Sequence, residues 1–341
     1  MLCAIIALMT ATVLPIQIQA PQLRPLNILR DLPAVADLVE NCFANTMDAD
    51  GHRYIQQMRR AGQDNSFLRW ASSAVESVSM PLTGYVWVEG SQIIGNVSII
   101  PFKRRYRKYS LIANVAVRED YRRRGIGRAL TVAAMDHIRR KNADETWLHV
   151  RDDNPGAIEL YRSLGFIEQA RRTSWQAKPD RDANPAKLGV TFSRHIAHDW
   201  PEQESWLNRL YPDLLSWYHP VNWINIRPGL GPELYRFFIE TETKSWAIHT
   251  DGHLSGVLAW QPTYGSSDQM WAAVPPETNS LALTALLLQA RRVLASRSTL
   301  TLDFPAAEYR SAIEAAGFRS ARTLLWMRAD ETQSREPRTS S

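Results

Sequence analysis

The sequence is poor in cysteine, with only Cys3 and Cys42 among 341 residues. So few thiols cannot form a disulfide framework, and no C-x-x-C or C-x-x-H pattern suggests structural zinc. The histidines show no ligand-like spacing, so no metal is expected. An unbroken apolar run of membrane length is also missing. Residues 1–20 are apolar and uncharged, but Pro15, Gln17 and Gln19 interrupt them, short of the ~20 residues that span a bilayer. The stretch has neither the positive n-region nor a convincing cleavage site of a signal peptide. Residues 1–21 are therefore expected to be an N-terminal extension or a start-site artefact. The remainder is expected to be cytoplasmic, without membrane contact.

A net charge is nearly absent from the second half. Lys and Arg number 40 against 35 Asp and Glu, and the pI is near 9.3. Residues 1–175 carry a net +6 and residues 176–341 a net −1, while the window Lys103–Arg128 alone carries +8. The basicity is local, which points to a polyanionic partner of the first half rather than to a basic coat. With 45% hydrophobic and 22% charged residues, the composition excludes disordered and fibrous classes. The length suggests two domains.

The pattern alternates strands and helices. Gln22–Leu26 suits a first strand, and Asp31 a cap for a helix through Phe43. A second helical region is expected over Asp64–Ser77. Tyr85–Val88 and Ile93–Ile100 read as a hairpin, followed by a strand near Ser110–Val117 and a helix from Gly127. A strand at Trp147–Arg151, a helix from Asn154 and a strand over Gly165–Trp175 complete an α/β order with a mixed sheet. Residues 176–189, with Pro179 and Pro185, suit a linker, and the polar tail 330–341 is expected to be disordered. Between them, residues 190–329 repeat the first half weakly. A hairpin around Asp251-Gly252 precedes an apolar helix at Leu281–Leu294, and Gly317-Phe318 then matches Gly165-Phe166.

The strongest motif runs from Asn114 to Leu130: a buried strand, a glycine-punctuated loop and a helix. Glycines let backbone N–H groups approach an anion, the helix N-terminus adds partial positive charge, and Arg122, Arg123, Arg124 and Arg128 supply forked donors. A second motif follows one βα step later, with Asn154, Ala157, Tyr161 and Gly165-Phe166. Together, Arg122-x-x-Gly125-x-Gly127 and this second motif resemble the GCN5-related N-acetyltransferase (GNAT) superfamily, closest in flavour to ribosomal-protein alanine acetyltransferases. The resemblance covers about residues 22–175.

That resemblance implies a tandem acyl-CoA N-acyltransferase fold: a mixed, mostly antiparallel sheet flanked by helices, with 22–175 active and 190–329 a degenerate copy. It implies that Val115 and Val117 offer backbone groups to the pantetheine arm of acetyl-CoA. The loop Arg122, Arg123, Arg124, Gly125, Ile126 and Gly127, continuing into Arg128, would hold the pyrophosphate, and Asn154 would contact the same molecule. Tyr161 would protonate the leaving thiolate; a core-filling aromatic is the alternative for that residue. Ile112-Ala113-Asn114 carries no carboxylate where many relatives place a glutamate, so no base is named. The implied reaction is direct transfer of an acetyl group to a primary amine, on a small molecule or a peptide N-terminus. The alternatives are an inactive acyl-CoA-binding scaffold and an RNA-associated protein using the basic run 103–109, although a solvated hairpin tip is the default for that run and nucleic acid is not the expected partner. In the second half, Met270–Ser280 has no Gly-x-Gly and no arginine, and the clustered tryptophans are expected to be core or to line an acceptor pocket.

Overall fold

A computed structural model describes residues 21–44, 47, 49–62, 81–193, 195–218, 221–229, 231–232, 242–263, 267–276 and 280–330. The first half contains β1 (Leu23–Pro25), α1 (Ile28–Phe43), α2 (Ala49–Ala61), β2 (Thr83–Glu89) and β3 (Gln92–Arg104). It continues with β4 (Arg107–Val117), α3 (Ile126–Arg140), β5 (Glu145–Arg151), α4 (Pro155–Ser163) and β6 (Phe166–Ala177). The second half contains β7 (Phe192–Ser193), α5 (Trp200–Leu210), β8 (Lys244–Thr250), β9 (His253–Gln261) and β10 (Ser267–Ala273). It ends with α6 (Ser280–Val293), β11 (Thr299–Pro305), α7 (Arg310–Ala315) and β12 (Arg319–Ala329).

Local chemistry explains most boundaries. Asn27, not Asp31, caps α1, its side chain accepting from Leu29 N at 3.1 Å. Asp31 lies buried in the first turn, accepting from Asn27 N at 2.8 Å and from Arg24 at 2.6 Å. The helix α2 was not expected, and the helix expected over 64–77 lies outside the described residues, as do residues 1–20 and 331–341. The linker begins later than expected, because β6 continues through Ala177.

The strands form a single 12-stranded sheet in the order β1-β2-β3-β4-β5-β12-β6-β11-β10-β9-β8-β7. The last strand of each half is lodged against the other half. β12 pairs antiparallel with β5 from Leu324↔Arg151 to Arg328↔Trp147, and β6 pairs antiparallel with β11 from Leu300↔Ala177 to Pro305↔Arg172. β6 and β12 also pair with each other, with the Thr173 and Thr323 hydroxyls 2.9 Å apart. The two repeats expected from sequence therefore share a sheet, and each one's parallel edge strand is closed by its neighbour's strand.

One face of the first half packs Val97, Ile112, Leu148 and Val150 under α3 and α4, with Leu325 and Met327 supplied by β12. On the opposite face, α1 and α2 cover β2 and the end of β4. Further along that face, Leu111 and Trp147 pack against Leu215 and Trp217 of the second half.

Candidate active site

The site begins where two parallel strands part. β4 and β5 pair only from Tyr109↔Glu145 to Ile112↔Leu148. Just past that point β4 bulges, its register with β3 jumping from Ala113↔Ser98 to Ala116↔Asn96. Asn114, at the bulge, has a positive φ of 50°, a conformation that asparagine tolerates better than most residues. A buried polar network holds it there. Asn96 donates through Nδ2 to the Asn114 carbonyl at 3.0 Å, and Asn114 donates through Nδ2 to the Tyr54 hydroxyl at 2.7 Å. Burial, reinforced by the neighbouring Tyr218 phenol, pushes the Tyr54 phenol above its usual range despite that bond. β4 thus diverges from β5 as a splayed pair, leaving residues 113–117 outside their shared ladder.

The fork opens toward the arginine loop. A 3₁₀ turn at Glu119–Tyr121 is followed by Arg123 at φ 63° and Gly125 at φ 78°, where α3 starts. A Cβ on Gly125 would meet nothing within 4 Å, so the space beside the helix start is open. Gly127 is less exposed to that space, since a Cβ there would touch Leu160 at 3.6 Å. The loop is internally braced. Arg122 Nε donates to the Val117 carbonyl at 3.1 Å, a carbonyl that also accepts from Cys42 Sγ at 3.4 Å. Arg124 donates to the Asp120 carbonyl at 3.0 Å, Arg118 pairs with Asp120 at 2.8 Å, and both guanidinium groups sit over the Tyr121 ring. Arg118 holds the Asp120 carboxyl below the usual carboxylate range. Arg128, farther along the helix, donates to Ser163 of α4 at 2.8 Å.

The predicted site residues therefore divide. Arg122, Arg123, Arg124, Gly125, Ile126, Gly127 and Arg128 share one loop and first helical turn, with Ile126 buried as the hydrophobic anchor. Val115 and Val117 lie on the parted stretch of β4 and pack toward α3, the Val117 carbonyl being taken up by Arg122 and Cys42. Asn154 caps α4, its Oδ1 accepting from Ala157 N at 3.1 Å. Tyr161 is buried on α4 among the residues under α3, edge-on to Phe166, and burial pushes its phenol above the usual range. Sequence reasoning missed Tyr54, on a helix whose polar residues hide its amphipathic pattern. It also missed Tyr218, in a short turn with no periodicity. The basic run 103–109 forms the β3–β4 tip, but it is not a wholly solvated tip. Arg104 pairs with Asp213 at 3.2 Å, Arg107 with Glu145 at 2.7 Å, and Tyr109 is stacked under Trp217, leaving Tyr106 fully exposed.

The corresponding fork of the second half is filled. β10 and β11 pair only from Ser267↔Thr299 to Met270↔Leu302, yet β10 shows no bulge against β9. The Tyr211 hydroxyl accepts from Ala272 N at 3.1 Å, Tyr309 donates to the Pro275 carbonyl at 2.6 Å, and Arg209 donates to the Val274 carbonyl at 3.2 Å. Among the described residues, no group of histidine, cysteine or carboxylate side chains has metal-site geometry, and no helix is long and apolar enough to cross a membrane.

Residues 50–166 match the acetyltransferase (GNAT) family. A protein named [ribosomal protein bS18]-alanine N-acetyltransferase, from Escherichia coli, is 42% identical over 67 residues, which is 20% of this chain and 45% of that one. An N-alpha-acetyltransferase of Sulfurisphaera tokodaii is 36% identical over 99 residues, covering 29% of this chain and 58% of that one. The chain thus spans about half the length of these curated relatives. A GCN5-related N-acetyltransferase structure from Sphaerobacter thermophilus aligns over 91% of this chain and 96% of its own at a TM-score of 0.51 and 15% identity, a likeness of fold.

Proposed function

We propose, starting from a chain whose residues 50–166 match the acetyltransferase (GNAT) family, that its N-terminal half transfers an acetyl group from acetyl-CoA to a primary amine. The observation that carries this reading is the bulged fork between β4 and β5, opening onto an arginine loop at the start of α3. The residues there fit such a donor. Unpaired first-turn N–H groups, a positive helix end and several guanidinium groups suit a diphosphate, and Gly125 leaves the approach open. Arg122 through Gly127 would hold the diphosphate, with Arg128 beside them. The backbone of Val115 and Val117 would align the extended arm, and Asn154 would keep the start of α4 against it. When bound, acetyl-CoA supplies an activated thioester.

Tyr161 has the chemistry of a proton donor to the departing sulfur. The phenol is protonated at neutral pH at its ordinary pKa, and burial, by pushing that pKa up, makes it a weaker acid, so the role rests on the place of Tyr161 in the second motif. The neutral amine nitrogen forms the new bond to the carbonyl carbon while the carbon–sulfur bond breaks and its electron pair goes to sulfur, which takes a proton from Tyr161; the proton shed by the nitrogen passes to water, and the phenol is reprotonated from water. The second half is read as a degenerate copy that does not bind CoA, supported by Tyr211, Tyr309 and Arg209 lying where the first half opens.

The test is calorimetric binding of CoA together with thiol release from acetyl-CoA across a panel of primary amines. CoA binding in the micromolar range and amine-dependent thiol release are expected. Tyr161→Phe should keep the CoA affinity and lower kcat about 10²-fold or more. Failure of the wild type to bind CoA refutes the reading, and binding without turnover reduces the protein to an acyl-CoA-binding scaffold.

A further inference from the structure

The segment Asp213–Tyr218 belongs to the second half by sequence but lies on the first half's β3–β4 hairpin and β5. Asp213 pairs with Arg104 at 3.2 Å. Trp217, almost fully buried, stacks on Tyr109 with centroids 5.3 Å apart and planes 8° from parallel, and it meets Phe102 edge-on at 5.2 Å. These contacts set the position of the next residue. Tyr218 meets the His149 ring edge-on at 4.9 Å and the Trp326 ring at 5.4 Å.

His149 is the first residue of β5 beyond the last pair with β4, so it stands at the base of the fork. Its neighbours Leu148 and Val150 pack toward α3, and alternation along the strand puts His149 on the opposite face, with Tyr218. Across the fork on that face stands Tyr54, bonded to Asn114 of the bulge at 2.7 Å and close enough to Tyr218 for the two phenols to interact electrostatically. Tyr54, His149 and Tyr218 are each only partly buried. The three rings come from α2, β5 and the second half: Tyr218 and His149 touch, and Tyr54 is bonded to Asn114 of the bulge where the acyl group would be presented.

We propose that Tyr54, His149 and Tyr218 wall the subsite for the acceptor amine, and that it takes a primary amine carried on a flat aromatic or apolar group. This rests on the acetyltransferase reading above, and it makes the second half a specificity element of the first half's site. Aromatic walls favour flat apolar groups through edge and face contacts. Their ring faces also attract an ammonium before it loses its proton. The nearby carboxylates are engaged elsewhere: Asp213 by Arg104, and Glu145 by Arg107 and by Trp147 Nε1 at 2.7 Å. A polyamine would find no free carboxylate among these groups. The arrangement also gives the eroded copy a reason to persist, because Trp217 and β12 hold the wall in place.

The experiment compares phenethylamine, spermidine and a peptide with an N-terminal glutamate as acceptors for the intact protein. Phenethylamine should show the highest kcat/KM. Tyr218→Ala should raise its KM about three- to tenfold and leave the KM for acetyl-CoA within about twofold, while the lost ring contacts with His149 and Trp326 lower the melting temperature. Tyr218→Leu, which keeps apolar bulk without a ring, serves where the alanine variant folds poorly, and it should show the same split. An unmoved KM for phenethylamine in both variants overturns the subsite, as does a wild-type preference for spermidine or the glutamyl peptide. Calorimetry of phenethylamine against CoA-loaded protein separates the two readings. Binding that weakens in Tyr218→Ala without any turnover supports the subsite and refutes the acetyltransferase, whereas no binding refutes the subsite.

Discussion

Gly125→Asp is the sharpest probe of the arginine loop, because its effects on stability and on CoA binding differ. Gly125 sits at φ 78° with open space where a Cβ would go, so the new side chain meets no protein atom. An L-residue in this conformation costs about 1–2 kcal/mol, with aspartate at the lower end. A carboxylate at the start of α3 recovers about 0.3–1 kcal/mol from the helix dipole. These opposing contributions nearly cancel, so the melting temperature should move by no more than about 2–4 °C. The backbone strain is present with and without ligand and drops out of the binding difference. What remains is repulsion between the carboxylate and a diphosphate carrying about two charges. At ~5 Å in a water-like dielectric, each charge contributes about 0.8 kcal/mol. The affinity for CoA should therefore fall about tenfold or more at low salt. Screening at about 0.5 M salt should shrink that loss to about threefold. Gly125→Asn, nearly the same shape without the charge, should stay within about threefold of wild type. Calorimetric titration with CoA at two salt concentrations, alongside thermal melts, measures all of this. A Kd within twofold of wild type for Gly125→Asp at low salt would refute the placement of the diphosphate here.

Two further outcomes test the frame around the site. Burial alone would raise the Asp31 carboxyl, but the bonds from Arg24, Asn27 N and Arg30 outweigh it and hold the group below its ordinary value. A carboxyl depressed in the folded state contributes stability above its unfolded pKa of about 3.9, and that contribution is lost as pH falls through the folded value. Melting temperatures from pH 6 to pH 2.5 should therefore drop less steeply in Asp31→Asn than in wild type; parallel curves would contradict the assignment. In the second half, Tyr211→Phe should leave the Ala272 amide without its acceptor and cost about 1–3 kcal/mol in urea unfolding. CoA affinity should stay unchanged, and a gain of a second CoA site would show that the filled fork had been blocking one.

The glycine loop, the hairpins and the order of elements were legible because each depends on short-range rules. Gly125 marks a left-handed turn, Asn154 marks a helix cap, and alternation marks β2 and β3. The cap on α1 shifted from Asp31 to Asn27 because both are good capping residues and only the packing of Asp31 against Arg24 chooses between them. α2 escaped notice because Tyr54, Ile55 and Met58 give it a narrow apolar stripe among polar residues. The acceptor wall was not legible, since Trp217 and Tyr218 lie about a hundred residues from Tyr109 and nearly seventy from His149.

By itself the sequence determined that there are two α/β repeats and that only the first carries the glycine–arginine loop and the Asn154–Tyr161 motif. Those are properties of contiguous residues, written in backbone preferences and side-chain periodicity. Strand order is a property of distant segments, and tertiary structure alone decided it. β12 lies beside β5, β6 lies beside β11, and Tyr218 of one repeat faces the fork of the other. Local preferences carry no information about which edges will pair. That choice follows from burying both faces of a sheet and closing its open edges at once, so the two repeats form a single sheet in which the second lends β12 and the Asp213–Tyr218 segment to the first.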